Sequence, residues 1–379
     1  MEFSSRPTRV DIDLAALCHN LNLVRTFCRG NQGVMAVVKA DAYGHGVVAV
    51  SRTLEAAGVE QFAVACLEEG IELREAGIVR PILVFGGCYP GQEEAFVRYN
   101  LSAALLSLAD LERINAFGLA RDSRFPVHLK CDSGMGRVGF LPAEIQELAR
   151  RLQQSGGLQV AGLMSHLACA DELQAEATSV QIRVFRDILA RLRAEGIFPP
   201  EIHLGNSAGL AAWDLPEATL VRPGIMLYGG YPSAEFTPRL DLRPVMTFST
   251  QIAQLRTLSA AQGISYGHTY KTLGPTRVAT LPVGYADGYN RLFSNCGEVL
   301  VRGQRAPVIG RVCMDWIMVD VSAIAGAAVG DRVTLLGADG NERISAEDWA
   351  EKLGTINYEV FCRVSQRVPR YPGPAPLGG

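Results

Sequence analysis

Lys39 is the first residue of this chain whose setting suggests chemistry. It follows the apolar run Val34-Met35-Ala36-Val37-Val38 and precedes Ala40-Asp41-Ala42-Tyr43-Gly44-His45-Gly46. Five apolar residues predict a buried strand, and the Gly and Asp residues predict the turn that ends it. A lysine where a strand leaves the core loses solvent. Its ammonium is then disfavoured and its amine becomes a usable nucleophile or base, the setting that Schiff-base lysines need. The plainer reading is a strand-end lysine that snorkels to water, and Lys39 alone favours it.

Further groups shift that balance. Ser207, Gly224 and Ile225 follow two later apolar runs. A serine hydroxyl and backbone N–H groups can donate to an anion, and glycine permits close approach. A phosphate anchor facing a Schiff-base lysine is what pyridoxal phosphate requires.

Such groups converge only if the elements beneath them do. Strand-like runs lie at 34–39, 61–66, 81–86, 102–106, 126–131, 159–165, 201–204 and 219–222. Helical patterns fall between most of them. The clearest spans 174–195, with Leu173, Val180, Val184, Ile188 and Leu192 at helical spacing, and another lies within 135–157. Strands alternating with helices predict an α/β architecture, a closed (β/α)8 TIM-type barrel over residues 1–240. In such barrels functional groups gather at the C-terminal ends of the strands, and phosphate often binds after the last two. Read in order, those ends carry Lys39, the stretch from Lys130 to Arg137, Ser165-His166, Asn206-Ser207 and Arg222-Pro223-Gly224-Ile225.

After about residue 240 short β-rich runs take over, at 245–252, 278–282, 306–309, 312–321 and 332–336. They predict a mainly-β domain over 241–379, with residues 1–12 packing against it. A helical insert is expected at 345–353, started by Ser345 or Glu347.

A chain of 379 residues is long enough for two domains. Hydrophobic residues make up 48% and charged residues 20%, as in a soluble globular protein. The net charge of −3, with no basic stripe, argues against a nucleic-acid partner. Nine cysteines lack CxxC or His/Cys ligand spacing, so no metal site is expected. Cys66, Cys169 and Cys313 sit in apolar runs and are expected as reduced core thiols of a cytoplasmic protein. Residues 1–6 lack a signal-peptide apolar segment, and no run approaches the length of a membrane span. The Pro/Gly-rich tail from Pro369 is expected to fray.

The stretch Val37-Val38-Lys39-Ala40-Asp41-Ala42-Tyr43-Gly44-His45-Gly46 resembles the cofactor-lysine motif of the alanine racemases, fold-type III pyridoxal-phosphate enzymes. The likeness continues through 130–137, Gly162-Leu163-Met164-Ser165-His166, Asn206-Ser207-Ala208-Gly209, Arg222-Pro223-Gly224-Ile225, Ser265-Tyr266-Gly267, Gly284-Tyr285-Ala286-Asp287-Gly288-Tyr289 and Cys313-Met314-Asp315. It runs in order across both domains, and the ordered set is far more specific than any one motif. It implies an isomerase that interconverts L- and D-alanine with pyridoxal 5'-phosphate, supplying D-alanine for peptidoglycan. It also implies a barrel plus a β domain, assembled as a head-to-tail homodimer with shared active sites.

Site roles follow from the resemblance. Lys39 holds the cofactor and serves as one acid/base, and Tyr266 of the other subunit is the opposing base. Arg222 hydrogen-bonds the pyridine nitrogen, and His166 packs near the ring and links Arg222 to Tyr266. Tyr43, Asn206, Ser207, Gly224, Ile225 and Tyr358 surround the cofactor. Arg137 and Met314 meet the substrate, and Tyr285 stands at the entrance. His128 matches no family role and reads as a core histidine. On their strand His128, Lys130 and Asp132 share one side. Lys130 and Arg137 then form two neighbouring buried cations, an unfavourable pairing. Carbamylation, which the family often carries here, would turn Lys130 into an anion; pairing with Asp132 is the alternative. Other readings are a serine or broad-specificity racemase, a fold-type III amino-acid decarboxylase, and a non-enzymatic cofactor-carrier barrel.

Overall fold

Eight short segments build the barrel: Gly33–Val37, Gln61–Val64, Ile82–Val84, Ser102–Leu105, Phe125–Lys130, Leu158–Met164, Glu201–His203 and Leu220–Val221. The structure, a computed structural model, describes residues 6–373. Most of these segments are apolar throughout because helices cover one face and the barrel interior the other. Strands one to seven pair in parallel in sequence order, and the first also pairs in parallel with the eighth. Strands seven and eight form no ladder. Their gap is spanned by the Thr219 N–H to Ile202 carbonyl bond (2.8 Å) and the Arg222 N–H to Gly205 carbonyl bond (2.9 Å). The expected α/β barrel is therefore present.

Details differ from the sequence reading. The first strand stops at Val37, so Lys39 opens the following turn rather than ending the strand. The long helix is Glu176–Ala194, and it buries Ile182, Phe185, Ile188, Leu189 and Leu192. Val180 is exposed and Leu173 precedes the helix. The larger side chains of Ile182 and Phe185 gain more from burial and set the phase. Within 135–157 the helical part is Ile145–Gln153, entered by a 3-10 turn at Pro142–Glu144. Residues before it form a loop that carries Arg137.

The second half is mainly β. One sheet runs Gln304–Pro307, Glu298–Val301, Arg332–Asp339, Met246–Gln251, Arg9–Ile12, Arg370–Pro372, with Glu342–Ile344 beside Arg332–Asp339. A second sheet joins Gln254–Leu258, Thr276–Leu281 and Ile317–Asp320. The expected strand at 312–321 shrinks to Ile317–Asp320, because Cys313 bonds the Trp316 carbonyl (2.9 Å) and turns the chain. The chain enters the sheet through Arg9–Ile12, antiparallel to Met246–Gln251. Asp13 then caps the helix Leu14–Phe27, its Oδ1 accepting from the Ala16 N–H at 2.8 Å. Part of the tail expected to fray is ordered: Arg370–Pro372 pairs parallel with Val10–Ile12. Residues 1–5 and 374–379, on which the leader and the rest of the fraying expectation fall, lie outside the described residues.

Ser345 caps the helix Ala346–Leu353, and its Oγ accepts from the Asp348 N–H. A helix unforeseen in the sequence, Asn357–Arg363, follows. One continuous apolar core joins barrel and β domain. Cys66, Cys169 and Cys313 are only half-buried; Cys88 and Cys131 are the core thiols. Among the described residues no His, Cys, Asp and Glu cluster could hold a metal. No described helix is long and apolar enough to cross a membrane.

Candidate active site

A cavity of about 780 Å³ opens at the C-terminal ends of the barrel strands. Lys39, Tyr43, Lys130, Arg137 and His166 line it. So do Asn206, Ser207, Arg222, Gly224, Ile225 and Tyr358.

Lys39 stands at the head of an unusual turn. Ala40, Asp41, Ala42 and Tyr43 all have left-handed backbone angles, with φ of 52–54°. For non-glycine residues each such angle costs roughly 1–2 kcal/mol. Tertiary contacts must offset that cost. The Glu69 carboxylate accepts from the Ala40 N–H (2.6 Å) and from the Ala65 N–H (2.7 Å), pinning the entry. The Asp41 carboxylate accepts from the Val47 N–H at 2.6 Å, tying the turn to the next helix. Burial, and then the Arg137 guanidinium, push the Lys39 pKa down, so a neutral amine is accessible.

Tyr43 lines the cavity beside Gly224. Its ring stacks on Tyr228 at 4.8 Å and lies 6.0 Å from Tyr358. A Cβ at Gly224 would collide with the Tyr43 hydroxyl, so only glycine fits there. Ser207 Oγ accepts from the Gly224 N–H at 2.9 Å, which leaves the hydroxyl proton free to point elsewhere. Ile225 opens the 3-10 turn Ile225–Tyr228, and its N–H finds no carbonyl within that turn. Asn206 caps the helix Ser207–Ala212, accepting from the Gly209 N–H at 2.9 Å.

Arg222 is buried and acts as a hub. It donates to the carbonyls of His203 (2.6 Å), Ser165 (2.7 Å) and Leu204 (3.1 Å). It also donates to two histidines, His203 Nδ1 at 3.1 Å and His166 Nδ1 at 3.4 Å. A guanidinium only donates, so both Nδ1 atoms are unprotonated. His203 Nε2 then carries the proton and donates to His128 Nδ1 at 2.9 Å. His128 Nε2–H in turn faces the Glu201 carboxylate, 3.6 Å away. Gln61 donates to the same carboxylate. Burial and the adjacent Arg222 hold His128 down to about 4, His166 to about 2 and His203 well below its ordinary value. The chain Arg222–His203–His128–Glu201 therefore has one proton arrangement at neutral pH.

Lys130 is 5% exposed, and among the described residues its ammonium has no hydrogen bond or ion pair. Asp132, its expected alternative partner, instead accepts from the N–H groups of Gly134 (2.8 Å), Met135 (2.7 Å) and Arg137 (3.1 Å). The buried cation beside Lys130 is Arg222, whereas Arg137 is exposed at the cavity wall. Burial, then Arg222 and Arg137, push the Lys130 pKa down to about 8.

Tyr266, Met314 and Tyr285 are absent from the lining. They are 69%, 52% and 42% exposed and lie on one patch of the β domain. The loops are tied together: Ser265 donates to the Arg311 carbonyl (2.6 Å), Tyr285 N–H to Cys313 (3.0 Å) and Ala286 N–H to Met314 (3.1 Å). Tyr285 is thus no core aromatic, and this chain's His166 has Arg222 as its neighbour without Tyr266.

Two family models match almost end to end: alanine racemase, N-terminal domain, over residues 12–232, and alanine racemase, C-terminal domain, over 245–372. This chain belongs to the alanine racemases. The alanine racemase of Geobacter sulfurreducens is 48% identical over 371 residues, 97% of each chain. That of Halothermothrix orenii is 45% identical over 366 residues, again 97% of each. The crystal structure of alanine racemase from Bacillus anthracis with bound L-Ala-P superimposes with a TM-score of 0.93 at 34% identity, covering 98% of this chain and 96% of that one. The chain is accordingly an enzyme, an amino-acid isomerase.

Sequence reasoning missed several residues of this racemase cavity. Phe85, Ile356, Glu359 and Cys362 line it too. The last three lie on or just before Asn357–Arg363, a helix of mixed polarity that left no clear period. His203 and Glu201 were missed although a signal existed: two apart on one strand, they share a side. His128, read as a core histidine, is buried but belongs to the chain leading to Arg222.

Proposed function

We propose that this racemase interconverts L- and D-alanine with pyridoxal 5'-phosphate by a two-base mechanism, in a homodimer, and supplies D-alanine for peptidoglycan. The cavity suits that cofactor. Lys39 would hold it covalently, and Ser207, Gly224, Ile225, Tyr43 and Tyr358 would receive the phosphate, with Asn206 shaping the approach. The convergence of Lys39, Tyr43, Ser207, Arg222 and Ile225 on one cavity carries this reading. When bound, pyridoxal phosphate withdraws the electron pair left as the Cα–H bond breaks.

The chain's own residues supply the rest. Lys39 Nζ takes or gives a proton on one face of Cα. Tyr266 of the partner subunit does so on the other, and removal from one face with return to the other inverts the centre. Arg222 would offer the ring nitrogen a hydrogen bond but no proton, and its three carbonyl acceptors favour the guanidinium. Arg137 and Met314 of the partner subunit would meet the substrate carboxylate, and Tyr285 of the partner subunit would narrow the entrance. His166 would complete its link from Arg222 to Tyr266 of the partner subunit across the interface. Lys130 would be carbamylated.

We take residues 1–240 as the barrel and 241–379 as the β domain; the pairing of Arg9–Ile12 with Met246–Gln251 supports residues 1–12 joining the latter. Nine free thiols support a reducing cytoplasm. A decarboxylase would want an acid at the ring nitrogen, and here Arg222 would take that role. The deciding experiment is deuterium exchange at Cα of L- and D-alanine in D2O. Exchange with inversion from both enantiomers supports the proposal. Carbon dioxide release, or a serine turnover exceeding that of alanine, would displace it.

A further inference from the structure

The left-handed turn is held at its exit by a residue outside the machinery above. His45 is 1% exposed. Its Nδ1 lies 2.9 Å from the Tyr43 carbonyl and 3.1 Å from the Ala42 carbonyl. Carbonyl oxygens only accept, so Nδ1 carries the proton and Nε2 is bare. Nε2 has no partner among the described residues. The imidazole is therefore neutral, its one donor shared between two carbonyls of the left-handed turn. Its ring is wedged between Tyr228, 4.7 Å away, and Phe361, 5.0 Å away. Tyr228 in turn stacks on Tyr43 and donates from its hydroxyl to the Val37 carbonyl at 2.9 Å. One ring thus touches both the backbone that turns Tyr43 inward and the aromatic on which Tyr43 rests. A second clamp closes the same exit: Arg370 Nε donates to the Gly44 carbonyl at 3.1 Å.

The four left-handed residues carry a steric cost, set against only a few local bonds such as that from the Gly46 N–H to the Asp41 carbonyl at 3.0 Å. Without the His45 ring donor the Tyr43 carbonyl would lose its partner and the Ala42 carbonyl would keep only the His45 backbone N–H (3.1 Å), so the turn could relax. Lys39 would then lose its bearing and Tyr43 its place against Gly224.

We propose that His45 is a positioning residue, whose Nδ1–H locks the left-handed turn and so sets how firmly the cofactor's phosphate end is held. The proposal rests on the roles given to Lys39 and Tyr43 above. Two variants separate donor from bulk. His45→Phe keeps the ring and loses the donor; His45→Asn keeps a donor near the Nδ1 position and loses the ring. Two readouts apply, amide hydrogen exchange across residues 40–46 of the purified enzyme and its dissociation constant for pyridoxal phosphate. Loss of a buried, doubly used donor should raise both by roughly tenfold in His45→Phe. His45→Asn should fall between that variant and the unaltered protein. Unchanged exchange and affinity in His45→Phe would overturn the proposal. So would His45→Asn being the worse of the two, or loss of the cooperative thermal transition in both, since ring packing alone would then explain the residue. Borohydride trapping keeps the premises apart. If the trapped label falls elsewhere than on Lys39, the reading of the site has failed; if it falls on Lys39 while exchange is unchanged, only the role of His45 has.

Discussion

Lys130 shows how far one residue's surroundings can force its chemistry. A buried ammonium beside Arg222 and without an acid is costly, and its depressed pKa expresses that cost. Near neutral pH part of the population is free amine, which can add carbon dioxide. The new N–C bond forms, one proton leaves, and the resulting carbamate is an anion facing Arg222 and Arg137. We expect the enzyme in 13C-labelled bicarbonate to give a carbamate carbon resonance that Lys130→Gln lacks; a free amine alone in the unaltered protein would refute the modification. The lysine was legible in the sequence by its strand alternation, but its neighbour was not. Sequence proximity suggested Arg137, whereas the barrel brings Arg222 in from the eighth strand end.

The elements place these residues through close approaches that only small side chains allow. Gly162, on Leu158–Met164, is the clearest case. A Cβ there would overlap His128 Nδ1, the atom that accepts from His203. Gly162→Ala should destabilise the fold by about 1–3 kcal/mol, read as a lower denaturant midpoint. It should also weaken the link from Glu201 to Arg222; an alanine variant of native stability would mean that His128 has room to move. Most barrel strands were legible as apolar runs, because a buried strand needs apolar residues on both sides; Phe125–Lys130 and Glu201–His203 carry polar residues of the site as well. The turn at 40–43 was not. Lys-Ala-Asp-Ala-Tyr carries no local preference for left-handed angles, and clamps from Glu69 and His45 impose them. The helix Asn357–Arg363 escaped for a related reason, being short, with only Val360 and Phe361 as buried apolar residues.

At the scale of the molecule, the cavity and the exposed patch of Tyr266, Met314 and Tyr285 are parts that this chain does not bring together. Mixing two inactive variants, Lys39→Ala and Tyr266→Ala, tests whether sites are shared. In a mixed dimer with shared sites, one site carries both defects and the other neither, so activity should return on mixing after subunit exchange. Absence of recovery, with mixed dimers present by native mass spectrometry, would place both bases within one chain.

Alternating apolar and polar runs determined the barrel, the order of its strand ends and the residues at its rim, because burial of a strand is written into consecutive side chains. The ordered motifs determined the family. The handedness of the turn under Lys39, the neighbour of Lys130 and the direction of the chain from Arg222 to Glu201 were decided only by the tertiary structure. Each depends on atoms from segments far apart in the sequence, and no local preference encodes which of them will meet.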